Sequence, residues 1–269
     1  MSTRTHLLVP LALALLVALA GCTALGGGGG NQDDDGLGEG QEIRSEVANE
    51  MAAIDSYNFS MVTTVEFNDN EQVTESNGTV DVAAQRMVTD SITTIRTNSS
   101  RTRQSSTAYV FGDQQCLDLD GGWEQSTVDR SPWRSATNVS VLTDLLNSSS
   151  ARLYYDTYDG RDVHVIVVEP SDQVVQRLLG DTETDVEFND VTYTQYVDTE
   201  SKRLLRSDMN ASYFTSGREV DLTVSMRFSD FNTSHEIELP RSAANPDRER
   251  GPCWEMANSS DSTTASVAP

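Results

Sequence analysis

Apolar residues recur at every second position through most of this chain. Val220, Leu222, Val224, Met226 and Phe228 alternate with Asp221, Thr223, Ser225 and Arg227, the period of an extended strand with one dry face. Phe59, Met61, Val65 and Phe67 alternate in the same way, interrupted by the polar Thr63, and residues 69–70 predict a turn. Val80, Val82 and Ala84 continue the pattern, and residues 87–95, 107–111, 115–119 and 122–125 predict further short strands. Residues 152–155 and 163–168 flank Asp159-Gly160, a hairpin signal because both positions tolerate positive φ. Residues 163–168 are apolar on both faces except at His164, which predicts a central, covered strand. The stretch 186–197 changes register near 189–190, which predicts a bulge, and 203–214 follows a turn at 198–202.

Three stretches carry helical spacing instead. Ile43, Val47, Met51 and Ile54 place one apolar stripe along residues 41–55. Val139, Leu142, Leu145 and Leu146 do so within 131–148. Pro170 opens a third helix whose Val174, Val175, Leu178 and Leu179 face inward, and Gly180 stops it. The expected fold class is α+β: a large antiparallel sheet with helices near the N-terminus and mid-chain. No repeat of fixed period occurs.

The first residues follow a different logic. Arg4 precedes an uncharged apolar run from 7 to 20, too short to span a bilayer, which needs about 20 residues, but right for a signal-peptide core. Leu19-Ala20-Gly21-Cys22 closes it and resembles the lipobox of prokaryotic lipoproteins. That resemblance implies cleavage after residue 21 and lipidation of Cys22, each buried methylene adding about 0.8 kcal/mol to anchoring. The expected organisation is a signal peptide at 1–21, a flexible glycine- and aspartate-rich tether at 22–40, one domain at 41–243 and a polar tail at 244–269. Within the tether, Asn31, Asp33, Asp35, Gly36 and Glu42 approach a calcium-loop pattern. Asn31 in the first ligand position, a glycine run in place of the entering helix and Gly38 at an apolar position depart from it. The reading is a solvated linker without a metal.

Charge sharpens the setting. The chain holds 42 Asp and Glu against 19 Lys and Arg, a net charge of −23, and Lys202 is its single lysine. Such an excess argues against nucleic acid and anionic membrane surfaces as partners. In molar salt the Debye length falls to about 3 Å and self-repulsion largely vanishes; acidic, lysine-poor chains of this kind look like those of halophilic archaea. Eight sequons, at Asn58, Asn77, Asn98, Asn138, Asn147, Asn210, Asn232 and Asn258, exceed the three or so that chance allows and suit an exterior location.

No nucleophile elbow, P-loop, paired C-x-x-C or H-E-x-x-H occurs. His164 and His235 are isolated, and with so many carboxylates no particular pair marks acid–base chemistry. No enzyme activity, metal or cofactor is expected. Cys116 and Cys253 are the cysteines left once Cys22 is lipidated. Outside the cell such a pair forms a disulfide or stays as two buried thiols, and the spacing leaves both open.

The order of elements carries a further resemblance. A helix precedes strands opened by Ser56-Tyr57-Asn58-Phe59; then come the Leu142–Leu146 helical pattern, the Asp159-Gly160 hairpin, the Pro170 helix and three strands with Asp198-Thr199-Glu200 at a turn. Phe228-Ser229-Asp230-Phe231-Asn232 and Leu239-Pro240 close the domain. This resembles the lipoprotein-carrier (LolA-like) superfamily and the mycobacterial lipid-binding lipoproteins. The resemblance implies an incomplete barrel whose concave side holds acyl chains under helices. Met51, Phe59, Met61, Phe67, Phe188, Leu222, Val224, Met226 and Phe228 are then candidates for an apolar cavity, the methionines making it adaptable. The expected function is a membrane-anchored extracytoplasmic lipoprotein binding a lipid or other apolar ligand. The alternative is a structural or sensory surface lipoprotein that docks a protein partner, with these residues as an ordinary filled core.

Overall fold

The computed structural model describes residues 37–119, 122–128, 151–170, 187–215, 218–244, 253 and 256. The expected signal peptide, the tether up to residue 36 and the expected helices at 131–148 and 171–180 lie outside the described residues.

Among the described residues one helix, α1 (Leu37–Ala52), precedes the sheet. Its Ile43, Val47 and Met51, four residues apart, are at most 5% exposed, so one stripe docks and the remainder meets water. The chain then runs through β1 (Ser56–Phe67), β2 (Asn70–Asp81), β3 (Arg86–Arg96), β4 (Arg101–Phe111), β5 (Gln114–Leu119), β6 (Gly122–Thr127), β7 (Ala151–Tyr158), β8 (Arg161–Val168), β9 (Glu187–Asp198), β10 (Leu204–Thr215) and β11 (Arg218–Ser229). A four-residue helical turn, α2 (Arg241–Ala244), follows.

All eleven strands form one antiparallel sheet in the order β6-β5-β4-β3-β2-β1-β11-β10-β9-β8-β7. It is open: β6 and β7 end it and do not pair with each other. Two meanders, β1 to β6 and β7 to β11, meet along β1 and β11, where Asn58 faces Ser229 and Glu66 faces Asp221.

The period-two pattern assigns the faces. Residues paired across strands share a face, so Tyr57, Phe59, Met61, Thr63 and Val65 of β1 lie beside Phe228, Met226, Val224 and Leu222 of β11. This face packs on α1 in the main core, which extends from Val110 of β4 to Val168 of β8. Burial of each large side chain there is worth about 1.5–3 kcal/mol. The opposite face carries two smaller clusters. Val163, Val165 and Leu205 form one, with Tyr158, Tyr196 and Phe231 beside it. Cys116, Ala243, Cys253 and Met256 form the other, with Tyr109, Phe111 and Trp123 of β4 and β6 beside it. A Cys116–Cys253 disulfide, Cα atoms 5.8 Å apart, fastens it.

Several boundaries differ from the sequence expectation. β2 begins at Asn70, although residues 70–79 are nearly all polar. On the helix-bearing face they place Gln72, Thr74 and Ser76, which are buried, and two of them bond across to β3: Thr74 to Thr93 at 3.1 Å and Ser76 to Ser91 at 2.8 Å. Hydroxyl pairs replace hydrophobic contact there, so an apolar pattern is blind to the strand. Residues 82–85, read as strand, form the β2–β3 turn, with Gln85 at φ 54°. β4 starts at Arg101, ahead of its first apolar residue. β8 is buried on both faces as expected but is second from the edge rather than central. The bulge falls where it was expected: pairing with β10 skips Asn189 between Asp190 and Phe188.

Candidate functional site

The cavity candidates from β1 and β11 do come together. Phe59 pairs with Phe228 and Met61 with Met226, and Leu222 and Val224 follow on the same face. Met51 reaches them from α1, where its sulfur accepts the Leu204 backbone N–H at 3.5 Å. Met51, Met61, Leu222, Val224 and Phe228 are at most 6% exposed, while Phe59, Phe67 and Met226 are partly buried against them. The backbone of Phe188 pairs with Tyr213; its side chain lies outside the described residues.

Pattern reading passed over the polar members of this face. Ser207 donates to the Tyr193 hydroxyl at 2.6 Å, both buried. Burial pushes the Tyr193 phenol up, the nearby Asp208 adds to this, and the Ser207 hydrogen bond and the adjacent Gln195 amide oppose it. Gln195 is fully buried, yet neither amide atom has a partner at normal hydrogen-bond geometry among the described residues, and the buried Thr63 hydroxyl is likewise unmatched.

A second feature lies on the opposite face. A cleft of about 880 Å³ is lined by Ser60, Asn77, Asp90, Arg227 and Phe231, among others. Ser60 pairs with Asn77 and Arg227, and Asn77 with Asp90, which places all four side chains away from α1. The hairpin tip at Tyr158, Asp159 and Arg161, with Arg203 and Leu205 ahead of and within β10, makes the other wall. Asp159 and Gly160 both take positive φ, at 49° and 76°, so the Asp-Gly signal positions Arg161. The turn before β10 is held by Asp198. Burial alone would raise its pKa, but the Ser201 N–H and hydroxyl, the Glu200 N–H and the Arg161 cation hold the carboxyl below its usual range. Nothing in the hydrophobic pattern singles out this cleft, because Arg203, Arg227 and Phe231 sit at a loop, a solvent-facing strand position and a turn.

Of the sequons, Asn77, Asn98, Asn210 and Asn232 are exposed. Asn58 is half-buried, donating to Asp230 and accepting from Thr79, each at 2.8 Å. Asn138, Asn147 and Asn258, with Cys22, lie outside the described residues. Among the described residues no group of three His, Cys, Asp or Glu side chains is placed to hold a metal, and no helix is long and apolar enough to cross a membrane.

No family model and no curated protein sequence matches the chain. Solved structures do. The lipoprotein LppX of Mycobacterium tuberculosis shares 15% identity, with 74% of this chain and 99% of that one covered and a TM-score of 0.46. LprF from Mycobacterium bovis shares 12%, covering 75% and 97%, with a TM-score of 0.48. A putative outer membrane lipoprotein-sorting protein domain from Vibrio parahaemolyticus shares 11%, covering 74% and 94%, with a TM-score of 0.26. Likenesses this distant assign no residue and no activity to this chain.

Proposed function

We propose that this chain is an extracytoplasmic lipoprotein, anchored through Cys22, whose sheet holds a lipid or other apolar ligand on the face that carries α1. The observation that carries the ligand is the combination of soft and orphaned groups on that face. Met51, Met61, Met209 and Met226 converge there, and methionine adapts to irregular apolar shapes. The unmatched Thr63 hydroxyl and Gln195 amide sit three strands apart, about 14 Å at 4.8 Å per strand. A ligand with an acyl body and carbonyl or hydroxyl groups along it suits both features. The acidic, lysine-poor composition supports a high-salt setting, and the exposed sequons support a surface location.

A second reading has its own observation. The core residues of this face are already closely covered, whereas Tyr154 and Tyr155 on edge strand β7 are 48% and 65% exposed. That pattern favours a surface lipoprotein that docks a protein at the β7 edge and holds no small ligand.

Titration with a fluorescent fatty acid in molar salt separates the two. The ligand reading expects saturable binding that Val224→Trp abolishes with the fold intact. Met226→Trp, at a less buried position, serves if the first variant misfolds. Absence of binding by the wild-type chain rejects the ligand reading in favour of docking. For the anchor, Cys22→Ser is expected to release the protein from membranes or leave it uncleaved, and wild-type partitioning and migration of the variant would reject it.

A further inference from the structure

We propose that the cleft on the face opposite α1 is an anion site, taking a phosphate or sulfate group borne on a small organic or lipid body. It gathers three arginines, balanced in number by three aspartates, on a chain poor in basic residues. Arg161, Arg203 and Arg227 line it, out of 19 basic residues facing 42 acidic ones. Arg206 stands directly across from Arg227 on the neighbouring strand, and like charges in that position repel. Arg206 is neutralised by Asp208 at 2.9 Å and stacked over Tyr158 and Tyr196. Arg227 has no ion pair or hydrogen bond among the described residues. A half-buried Arg203 lies 5.5 Å over the Phe231 ring, and its Nε is buried without a partner.

The cleft also holds Asp90, Asp159 and Asp230, but no described ion pair joins them to its arginines. Asp90 accepts from Thr107 at 2.6 Å and Asp230 from Asn58 at 2.8 Å, so two of the three carboxylates are engaged by neutral donors. Arg161 meets Asp198 only at 3.9 Å. The guanidinium groups therefore keep donors to spare, and their planar forks match the paired oxygens of phosphate and sulfate. Phe231, Leu205 and Val88 give the same cleft an apolar wall, and about 880 Å³ accommodates a ligand well beyond a bare ion. The site opens on the opposite side of the sheet from the apolar-ligand face, with Phe59 and Phe228 bordering both.

Calorimetric titration of the intact chain, in dilute and in molar potassium chloride, with inorganic phosphate, glycerol phosphate and monomeric short-chain phosphatidylglycerol tests the site. Binding of at least one probe is expected. Glycerol phosphate binding without the lipid identifies a soluble phosphorylated ligand; the reverse identifies a headgroup. Arg227→Gln and Arg203→Gln should each weaken binding about tenfold or more, the cost of losing a charged hydrogen-bond donor. Arg227→Lys should fall between, and Arg218→Gln, an exposed arginine outside the cleft, should match the wild type. Unchanged circular dichroism of Arg227→Gln excludes misfolding as the cause. No binding of any probe at millimolar concentration, or wild-type affinity in both glutamine variants, overturns the proposal.

Discussion

Gly78→Ala is the sharpest single test of the packing at the β1–β2 ladder. Gly78 faces Phe59 directly across that pair. A Cβ placed on Gly78 would lie 2.4 and 2.5 Å from two carbons of the Phe59 ring and 2.8 Å from the Val88 carbonyl oxygen. The ring thus occupies the space a side chain would fill, as aromatic residues do over a strand glycine. The ring can rotate away only by leaving its place between the core and the cleft, and the carbonyl belongs to the ladder and cannot yield. Forcing one extra methyl into such a site costs about 1–3 kcal/mol, against which alanine recovers well under 1 kcal/mol of strand preference. For a domain of about 200 residues each kcal/mol moves the melting point by roughly 2–4 °C, so a fall of about 2–10 °C is expected. Thermal unfolding followed by circular dichroism in molar potassium chloride measures it. The cost should shrink in a Phe59→Leu background, where only the Val88 contact remains. A Gly78→Ala melting point equal to the wild type, or a cost unchanged when the ring is removed, would refute the reasoning.

Three further outcomes are expected. Unfolding midpoints should climb from dilute buffer to molar salt as screening quenches the repulsion of a −23 chain; a flat profile would contradict the halophilic reading. Because the folded structure depresses the Asp198 carboxyl, its contribution is complete above the unfolded pKa of about 3.9 and disappears as pH falls through the lower folded value; acid titration of stability should show that loss in the wild type and a shallower one in Asp198→Asn. Reduction, or Cys116→Ala with Cys253→Ala, should destabilise by up to about 5 kcal/mol in the loop-entropy account, given a separation of 137 residues, and identical midpoints with and without reductant would contradict it.

The alternation of β1 and β11 was legible because each has one wet and one dry face, and the same rule gave the apolar set from Phe59 to Phe228. The Asp159-Gly160 hairpin and the bulge at Asn189 were legible from backbone chemistry. β2 was not, since Thr74 and Ser76 pair with Thr93 and Ser91 through hydroxyl groups that look solvent-facing in a pattern, and neither was the start of β4, whose first seven residues are all polar. The cleft was invisible for another reason. Arg203, Arg227 and Phe231 share the β10–β11 hairpin, but they face Ser60, Asn77 and Asp90 only because β1 pairs with β11, and Arg161 only because the β7–β8 tip approaches them. Strand order across a sheet is a long-range property, and no local window records it.

The junction of the two meanders has a kinetic consequence. Every strand can find a neighbour adjacent in sequence soon after emerging, but the second edge of β1 must wait for β11, which begins 151 residues after β1 ends. At ordinary synthesis rates that delay is about ten to thirty seconds. During it, one edge of a twelve-residue strand with two Val, two Phe and one Met has its amides and carbonyls unpaired, an invitation to intermolecular strand pairing. The first meander is therefore the stage at which the nascent chain most needs to be kept apart from its neighbours, and variants that weaken the seam should aggregate during synthesis while remaining soluble once folded.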